Sequence, residues 1–252
     1  MNTSQLLGIA LRAAEKACRE ILSVYHADNF QVELKGDQSP LTRADKLAHE
    51  AITSELNTSG YPVLSEEGRD IPFSERAAWE YFWMVDPLDG TKEFIKRNDE
   101  FTVNIALIHR DRPVLGVVAV PVTGDIYFGA AGEGATLRRH GKDILLTPRS
   151  IDISASGLRV VASRSHMNAD TEQFIAKLDR ATLVSAGSSL KFMLLAEGKA
   201  DIYPRFGPTM EWDTAAAHLI VNEVGMKVYH TGGNSELRYN KENLLNPYFL
   251  VR

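Results

Sequence analysis

Residues 83–94 read WMVDPLDGTKEF. An apolar run that starts at Tyr81 stops at Asp86, a second aspartate follows at Asp89, and Gly90, Thr91 and Lys92 come next. Pro, Asp and Gly are turn formers, and Asp-Gly alone is a hairpin signal. A turn does not need acid at both places, however, and TKEFIKRND (91–99) is too long for a tight hairpin. Two carboxylates about 5 Å apart repel by roughly 3 kcal/mol at an effective dielectric near 20, a cost that a cation between them removes. Oxygen-only ligands favour Mg²⁺ or Mn²⁺ over zinc, which prefers His and Cys. Glu66 in LSEEG (64–68) and Asp213 in MEWDTAAA (210–217) are further acids at sharp element ends. Taken singly, Glu66 reads equally well as a solvated loop acid and Asp213 as an acid favoured at a helix start. Gly90 lets the backbone come close to a ligand, and a short helix beginning there aims N–H groups at an anion. Metal ligands beside such a helix start describe a phosphate-binding centre.

Working outward, Leu6, Ala10, Ala13, Ala17, Ile21 and Val24 recur at helical spacing and predict an amphipathic helix over 4–26. A second helix is expected at 43–56, with Ala44, Leu47, Ala48, Ile52 and Leu56 on its apolar side. The runs 61–64 and 81–85 read as buried strands that stop at acids. Strands follow at 101–108, 114–120 and 126–131, separated by the turn signals DRP and PVTGD, and HGKD (140–143) marks a further hairpin. TPRSIDISASG (147–157) is a polar seam. Beyond it, strands at 158–163, 181–186, 200–204 and 226–230 alternate with helices at 168–178, 188–197 and 212–224. Ser188 is placed to cap one of those helices and Gly198 to end it. This pattern gives a layered α/β class, α+β in the first half and α/β in the second.

At 252 residues the chain is large enough for one domain or two sharing a core. Hydrophobic residues at 44% and charged residues at 24% are ordinary for a globular protein. A net charge of −5 with no run of Lys or Arg excludes a basic face for nucleic-acid polymers. Arg12 and Glu15 interrupt the first apolar stretch, so neither a secretory signal nor a transmembrane segment is expected there. Cys18, the single cysteine, reads as a small buried side chain, and the expected location is the reducing cytoplasm.

At these residues the chain resembles the inositol monophosphatase superfamily of Mg²⁺-dependent, lithium-sensitive phosphomonoesterases. The match runs through SPLTRADKLAHEAI (39–52), LSEEG, WMVDPLDGTKEF, GVVAVPVTGDIYFGAAGEGA (116–135) and EWDTAAAHLIVNEVG (211–225). Within that superfamily, DPLDGTKEF, GSSLKF (187–192) and ADIYPRFGPTMEWD (200–213) are similar to the bacterial 3′(2′),5′-bisphosphate nucleotidase branch. Its members remove the 3′-phosphate of adenosine 3′,5′-bisphosphate, a by-product of sulfate assimilation, and some are assigned to the inner face of the cell membrane. The inositol branch more typically carries Thr-Asn after the Gly-Thr.

The resemblance implies a layered α-β-α-β-α sandwich working as a single catalytic unit, with subdomains of roughly 1–150 and 158–252 and the site between them. It implies that Glu66, Asp86 and the Leu88 carbonyl hold one Mg²⁺, and that Asp86, Asp89 and Asp213 hold a second. The first glutamate of the Glu66–Glu67 pair is taken as the ligand by spacing. Gly90 and Thr91 would bind the scissile phosphate, and Asp45 would pair with Thr91, in concert with Glu66, to activate the attacking water. Lys191 and Arg205, with Ser188 and His166, are candidates for the nucleotide's second phosphate. Taken without the resemblance, Asp45 reads as a capping acid. Two rivals stand beside this reading: a sister phosphatase for inositol phosphates or fructose 1,6-bisphosphate, and a non-catalytic binder of a cation or nucleotide.

Overall fold

The fold was analysed in a computed structural model that describes residues 2–27, 33–34, 40–163 and 167–252. Helix α1 (Thr3–Tyr25) opens with a capping box in which Asn2 and Gln5 satisfy each other's N–H groups, and it buries the six apolar positions expected from its periodicity. Strands β1 (Glu33–Leu34) and β2 (Pro40–Leu41) form a two-residue antiparallel pair. Helix α2 (Arg43–Leu56) starts at a second capping box, Thr42 with Asp45, and lies against α1.

One seven-stranded sheet forms the centre. It is built from β3 (Val63–Ser65), β4 (Tyr81–Asp89), β5 (Thr102–His109), β6 (Arg112–Val120), β7 (Asp125–Ala130), β8 (Ala135–Arg139) and β9 (Lys142–Leu145), in that spatial order. Only the β3–β4 pair is parallel. Two short helices interrupt the chain: α3 (Phe73–Arg76) between β3 and β4, and α4 (Thr91–Ile95) just after β4. His140 and Gly141, both with positive φ, turn β8 into β9 where HGKD predicts a hairpin.

The middle strands are apolar on both faces, which is why they read as unbroken runs. Trp83, Val85, Val103, Ile105 and Val117 face α1 and α2, whereas Phe82, Met84, Ala106, Ile108 and Val118 face the opposite way. That second face is covered by α6 (Leu190–Ala196) and α7 (Glu211–Glu223). Past these helices run β10 (Arg159–Ser163) parallel to β11 (Thr182–Ala186), and the antiparallel set β12 (Tyr203–Arg205), β14 (Phe249–Val251) and β13 (Val228–His230). A parallel bridge from Val160 to Ile202 joins the two groups, and α5 (Ala169–Ala176) packs beside β12. Helix, sheet, helix and sheet therefore stack in alternation, as the class predicted from the sequence requires.

Three expectations change in detail. Ser188 does not cap α6: it stands one residue before the N-cap, at φ 42°, and its hydroxyl donates to the carbonyl of Glu100. Strand β14 was not expected, because three residues next to the C-terminus carry no periodicity. Cys18 is half-buried rather than sealed, and burial pushes its thiol up to about 12, which leaves it unreactive.

Candidate active site

Strand β4 pairs regularly with β5 as far as Asp86 opposite Asn104, and the next pair is Asp89 opposite Thr102. Three steps on β4 therefore match two on β5, which is a β-bulge at Pro87 and Leu88. Pro87 has no N–H to give a ladder, so the irregularity falls where regular pairing is weakest. The bulge decides the chemistry. Side chains on a strand alternate faces, so acids three apart would point to opposite sides; the extra residue cancels that. Val85 and Leu88 enter the core under α1 and α2, and Asp86 and Asp89 share the side facing α6 and α7.

Glu66 follows β3, and its N–H donates to the carbonyl of Val85 at 3.1 Å, which sets it next to Asp86. Asp213 lies in the first turn of α7, where its Oδ2 accepts the N–H of Met210 at 2.9 Å. One oxygen each from Glu66, Asp86 and Asp213 lie within 4.8 Å of one another. Glu66, not Glu67, joins this trio. Asp89 stands beside it, close enough for its charge to act on both Asp86 and Asp213.

The three aspartates are held alike. Asp86 Oδ1 accepts the N–H of Leu88 at 3.0 Å, Asp89 Oδ2 that of Ser189 at 2.7 Å, and Asp213 Oδ2 that of Met210. In each, one oxygen is tied to a backbone N–H and no donor among the described residues reaches the other. Burial, then the charges of Glu66, Asp89 and Asp213, push the Asp86 carboxyl well above its usual range. Burial, then Asp89 and Glu66, does the same to Asp213. Asp89 is also raised by burial, against the opposing pull of Lys191 and Ser189. A cluster of hard oxygen donors that resists ionisation alone is a good fit for divalent cations, which remove the repulsion as they bind.

Asp45 closes the capping box of α2 with Oδ2, accepting the N–H of Thr42 at 2.7 Å and its hydroxyl at 2.6 Å. Its Oδ1 accepts the hydroxyl of Thr91 at 3.1 Å. Capping and the pairing with Thr91 are thus compatible roles of one carboxylate. Thr91 opens α4 behind Gly90, whose φ of 95° and a Cβ position only 2.8 Å from Ser188 Oγ both require glycine.

A pocket of about 130 Å³ adjoins these acids, and Asp89, Gly90, Glu93, Ser188, Lys191, Tyr203, Arg205 and Asp213 are among its lining residues. Lys191 is 6% exposed, and its ammonium lies 5.7 Å from the ring centre of Tyr203, with no hydrogen bond or ion pair among the described residues. Burial pulls its pKa down to about 8, against the attraction of Asp89. Arg205 donates through Nη2 to the carbonyl of Pro208 at 2.9 Å, and its buried Nε has no partner among the described residues. His166 lies outside the described residues.

The inositol monophosphatase family model matches residues 2–248. The chain belongs to that family. The 3′(2′),5′-bisphosphate nucleotidase CysQ of Shigella flexneri is 44% identical over 250 residues, which span 98% of this chain and 99% of that protein. Its namesake in Escherichia coli K12 is 43% identical over 251 residues, with the same shares of 98% and 99%. The crystal structure of CysQ from Bacteroides thetaiotaomicron, described as a bacterial member of the inositol monophosphatase family, has 47% identity and a TM-score of 0.88, over 98% of this chain and 96% of that one. Among the described residues, no helix is long and apolar enough to cross a membrane.

Several residues of this family member's site escaped the sequence reading. Asn104, Ser189 and Thr102 hold Asp89, and Tyr203 lines the pocket. Asn104 did leave a trace: it is the polar residue inside the otherwise apolar strand TVNIALI.

Proposed function

We propose that the chain is a Mg²⁺-dependent phosphomonoesterase that hydrolyses the 3′-phosphate of adenosine 3′,5′-bisphosphate, and of 3′-phosphoadenylyl sulfate, leaving AMP or adenylyl sulfate and phosphate. The observation that carries this reading is one pocket that joins a cluster of carboxylates to Arg205 and to a buried Lys191 that has no ion-pair partner among the described residues. The carboxylates suit cations that would meet one phosphate; Lys191 and Arg205 suit a second phosphate beyond the reach of those cations. The naming of relatives at 43–44% identity over nearly the full chain as bisphosphate nucleotidases supports the same choice. An inositol monophosphate gives no reason for two further cations, and the names of the relatives favour a nucleotide over fructose 1,6-bisphosphate, so the sister-phosphatase reading is the weaker one.

Glu66, Asp86 and the Leu88 carbonyl would hold one Mg²⁺, and Asp86, Asp89 and Asp213 a second. Bound there, the pair would neutralise the acids, draw in the phosphate dianion and lower the pKa of a water. The chain's own residues then do the following. Asp45 takes the Thr91 hydroxyl proton in a hydrogen bond, which turns a lone pair of Thr91 towards the attacking water. Thr91, in concert with Glu66, accepts that water's proton and passes its own to Asp45 as the water oxygen bonds to phosphorus. The ester P–O bond breaks on the opposite side and the 3′ oxygen leaves, taking a proton from solvent water. No residue is phosphorylated. The chain acts as one catalytic unit, with roughly 1–150 supplying most ligands and 158–252 supplying Asp213 and the nucleotide side. A reducing cytoplasm suits its single free thiol.

The test is phosphate release from a panel of adenosine 3′,5′-bisphosphate, inositol 1-phosphate and fructose 1,6-bisphosphate, with Mg²⁺ and with or without Li⁺. The expected result is Li⁺-sensitive turnover with kcat/KM at least tenfold higher for the nucleotide, roughly 1.4 kcal/mol in the barrier. A preference for either sugar phosphate refutes the substrate choice, and activity equal to that of Asp89→Asn refutes catalysis.

A further inference from the structure

Ser189 is the residue that touches both halves of the acid cluster. Its N–H donates to Asp89 Oδ2 at 2.7 Å, and its hydroxyl donates to the main-chain carbonyl of Asp213 at 2.8 Å. Behind it, Asn104 Nδ2 donates to Ser189 Oγ at 3.0 Å and reaches Asp89 Oδ2 at 3.4 Å. Ser189 and Asn104 are each 1% exposed.

The proton directions follow from the chemistry of the partners. The carbonyl of Asp213 can only accept, so the single hydroxyl proton of Ser189 goes there. Ser189 Oγ must then accept from Asn104, which fixes which end of that amide faces it and turns Asn104 Oδ1 towards Thr102, whose hydroxyl lies 3.4 Å away. Ser189 is also the N-cap of α6, and its side chain makes no capping bond. A serine at an N-cap ordinarily spends its oxygen on the helix's own N–H groups; this one is directed at α7. Ser188, before it, is held in the left-handed region by its bond to Glu100, which keeps Ser189 turned into the cluster.

We propose that Ser189, backed by Asn104, is a positioning residue that sets the separation of Asp89 from Asp213 and so the affinity of the cluster for a divalent cation. The inference rests on the reading of these acids as a cation site. It goes beyond it by assigning cation affinity to two uncharged residues on β5 and α6 that are not ligands. Asp89 comes from a bulged strand and Asp213 from a helix 124 residues later, and nothing in either element alone fixes their distance. Removing the hydroxyl leaves the N–H bond to Asp89 in place and breaks the bond from that residue to the first turn of α7, which stays anchored on its other side through Glu211 and Met210, so the direct tie between the two acids is lost without unfolding the helix.

The test uses the full chain, stripped of metal, with Mn²⁺ or Mg²⁺ titrated by calorimetry and the thermal midpoint recorded without cation. Ser189→Ala is expected to weaken cation binding by about 10- to 100-fold, the range seen when the partners of metal-holding groups are removed. Turnover should shift to higher Mg²⁺ by a similar factor and recover most of its maximum at saturation. Asn104→Ala should reproduce the effect. The double variant should be little worse than either single one, because both break the same chain of bonds. A Ser189→Ala protein with a lowered thermal midpoint but wild-type cation affinity overturns the proposal, as does Asn104→Ala with affinity unchanged. Wild-type protein that binds no divalent cation overturns both this proposal and the reaction above. A weakened Ser189→Ala titration together with no turnover of any phosphate ester supports the positioning role and refutes the reaction alone.

Discussion

Gly116 offers a test that lies away from the pocket. It sits on β6 between Ala106 of β5 and Gly129 of β7, a row of small residues over which α7 passes. Its φ is not positive, so alanine is conformationally acceptable there; the obstacle is space alone. A Cβ at this position would meet the carbonyl oxygen of Ala216 closer than van der Waals contact allows, and would lie 3.1 Å and 3.2 Å from that residue's C and Cα. Every conflicting atom is backbone, so α7 must retreat by on the order of 1 Å to restore ordinary spacing. Overpacking of this kind costs about 1–3 kcal/mol. For a chain of this length that is roughly 2–4 °C per kcal/mol, or about 2–12 °C in Tm. Asp213 lies three residues before Ala216 on the same helix, less than one turn away, so it moves too. A 1 Å misplacement is enough to cost on the order of 100-fold in turnover. Calorimetric melting and kcat/KM at saturating Mg²⁺ on Gly116→Ala measure both effects. Gly124→Ala is the control: its φ of 72° strains a substituted backbone, but nothing lies within 4 Å of the new carbon, so Tm should fall with kcat/KM unchanged. If Gly116→Ala melts and turns over like wild type, the claim that close packing of α7 on β6 positions Asp213 is wrong.

Asp45→Asn is expected to lower kcat by about 10²- to 10⁴-fold with little change in KM, since it removes the charge that orients Thr91. Thr91→Ala should cost a similar factor, and the double variant no more than the worse of the two. Lys191→Ala should raise KM for adenosine 3′,5′-bisphosphate by about 10- to 100-fold, the loss of a charge-assisted bond, and far less for a substrate lacking the 5′-phosphate; equal effects on both would remove this assignment. His218, fully buried on α7 between the Tyr239 hydroxyl at 2.8 Å and Glu236 at 3.1 Å, has its pKa lowered, chiefly by burial. The unfolded chain takes up this proton near pH 6.5 and the folded one does not, so stability should fall as pH drops below that point, by up to about 1.4 kcal/mol per unit. Glu236, held down to about 2 first by its bond from His218, contributes only in a lower window, losing stability as pH falls from the usual glutamate range to that value. Urea midpoints at pH 7 and 5.5 for wild type and His218→Gln decide the matter: identical slopes refute the His218 assignment.

Local signals account for what the sequence revealed of this fold. Helix α2 runs over Arg43–Leu56 as predicted because TRAD is a capping box and the apolar spacing after it is regular. The central strands were legible because both faces are buried, so no polar alternation blurs them. Asp86, Asp89, Glu66 and Asp213 stood out as acids at element ends. Asn104 and Ser189 did not, because their significance lies in bonds spanning 85 and 24 residues, which no local window contains. Ser188 was assigned the cap by residue type, yet tertiary contact with Glu100 took its hydroxyl and moved the helix start two residues on. Strand β14 exists only because β12 and β13 flank it.

The irregular step at Pro87 and Leu88 makes the enzyme sensitive to parity. Insert one residue there and a single bulge no longer cancels the odd spacing, so everything downstream would rotate half a turn about the strand axis. Asp89 would then be driven into the greasy layer beneath the first two helices, an ion with nothing to receive it, while Leu88 took its place facing the substrate. Point substitutions in this segment should therefore be graded in their harm and single-codon insertions all-or-none, whereas a single-codon deletion leaves Asp86 and Asp89 two apart on a regular strand and still on one side.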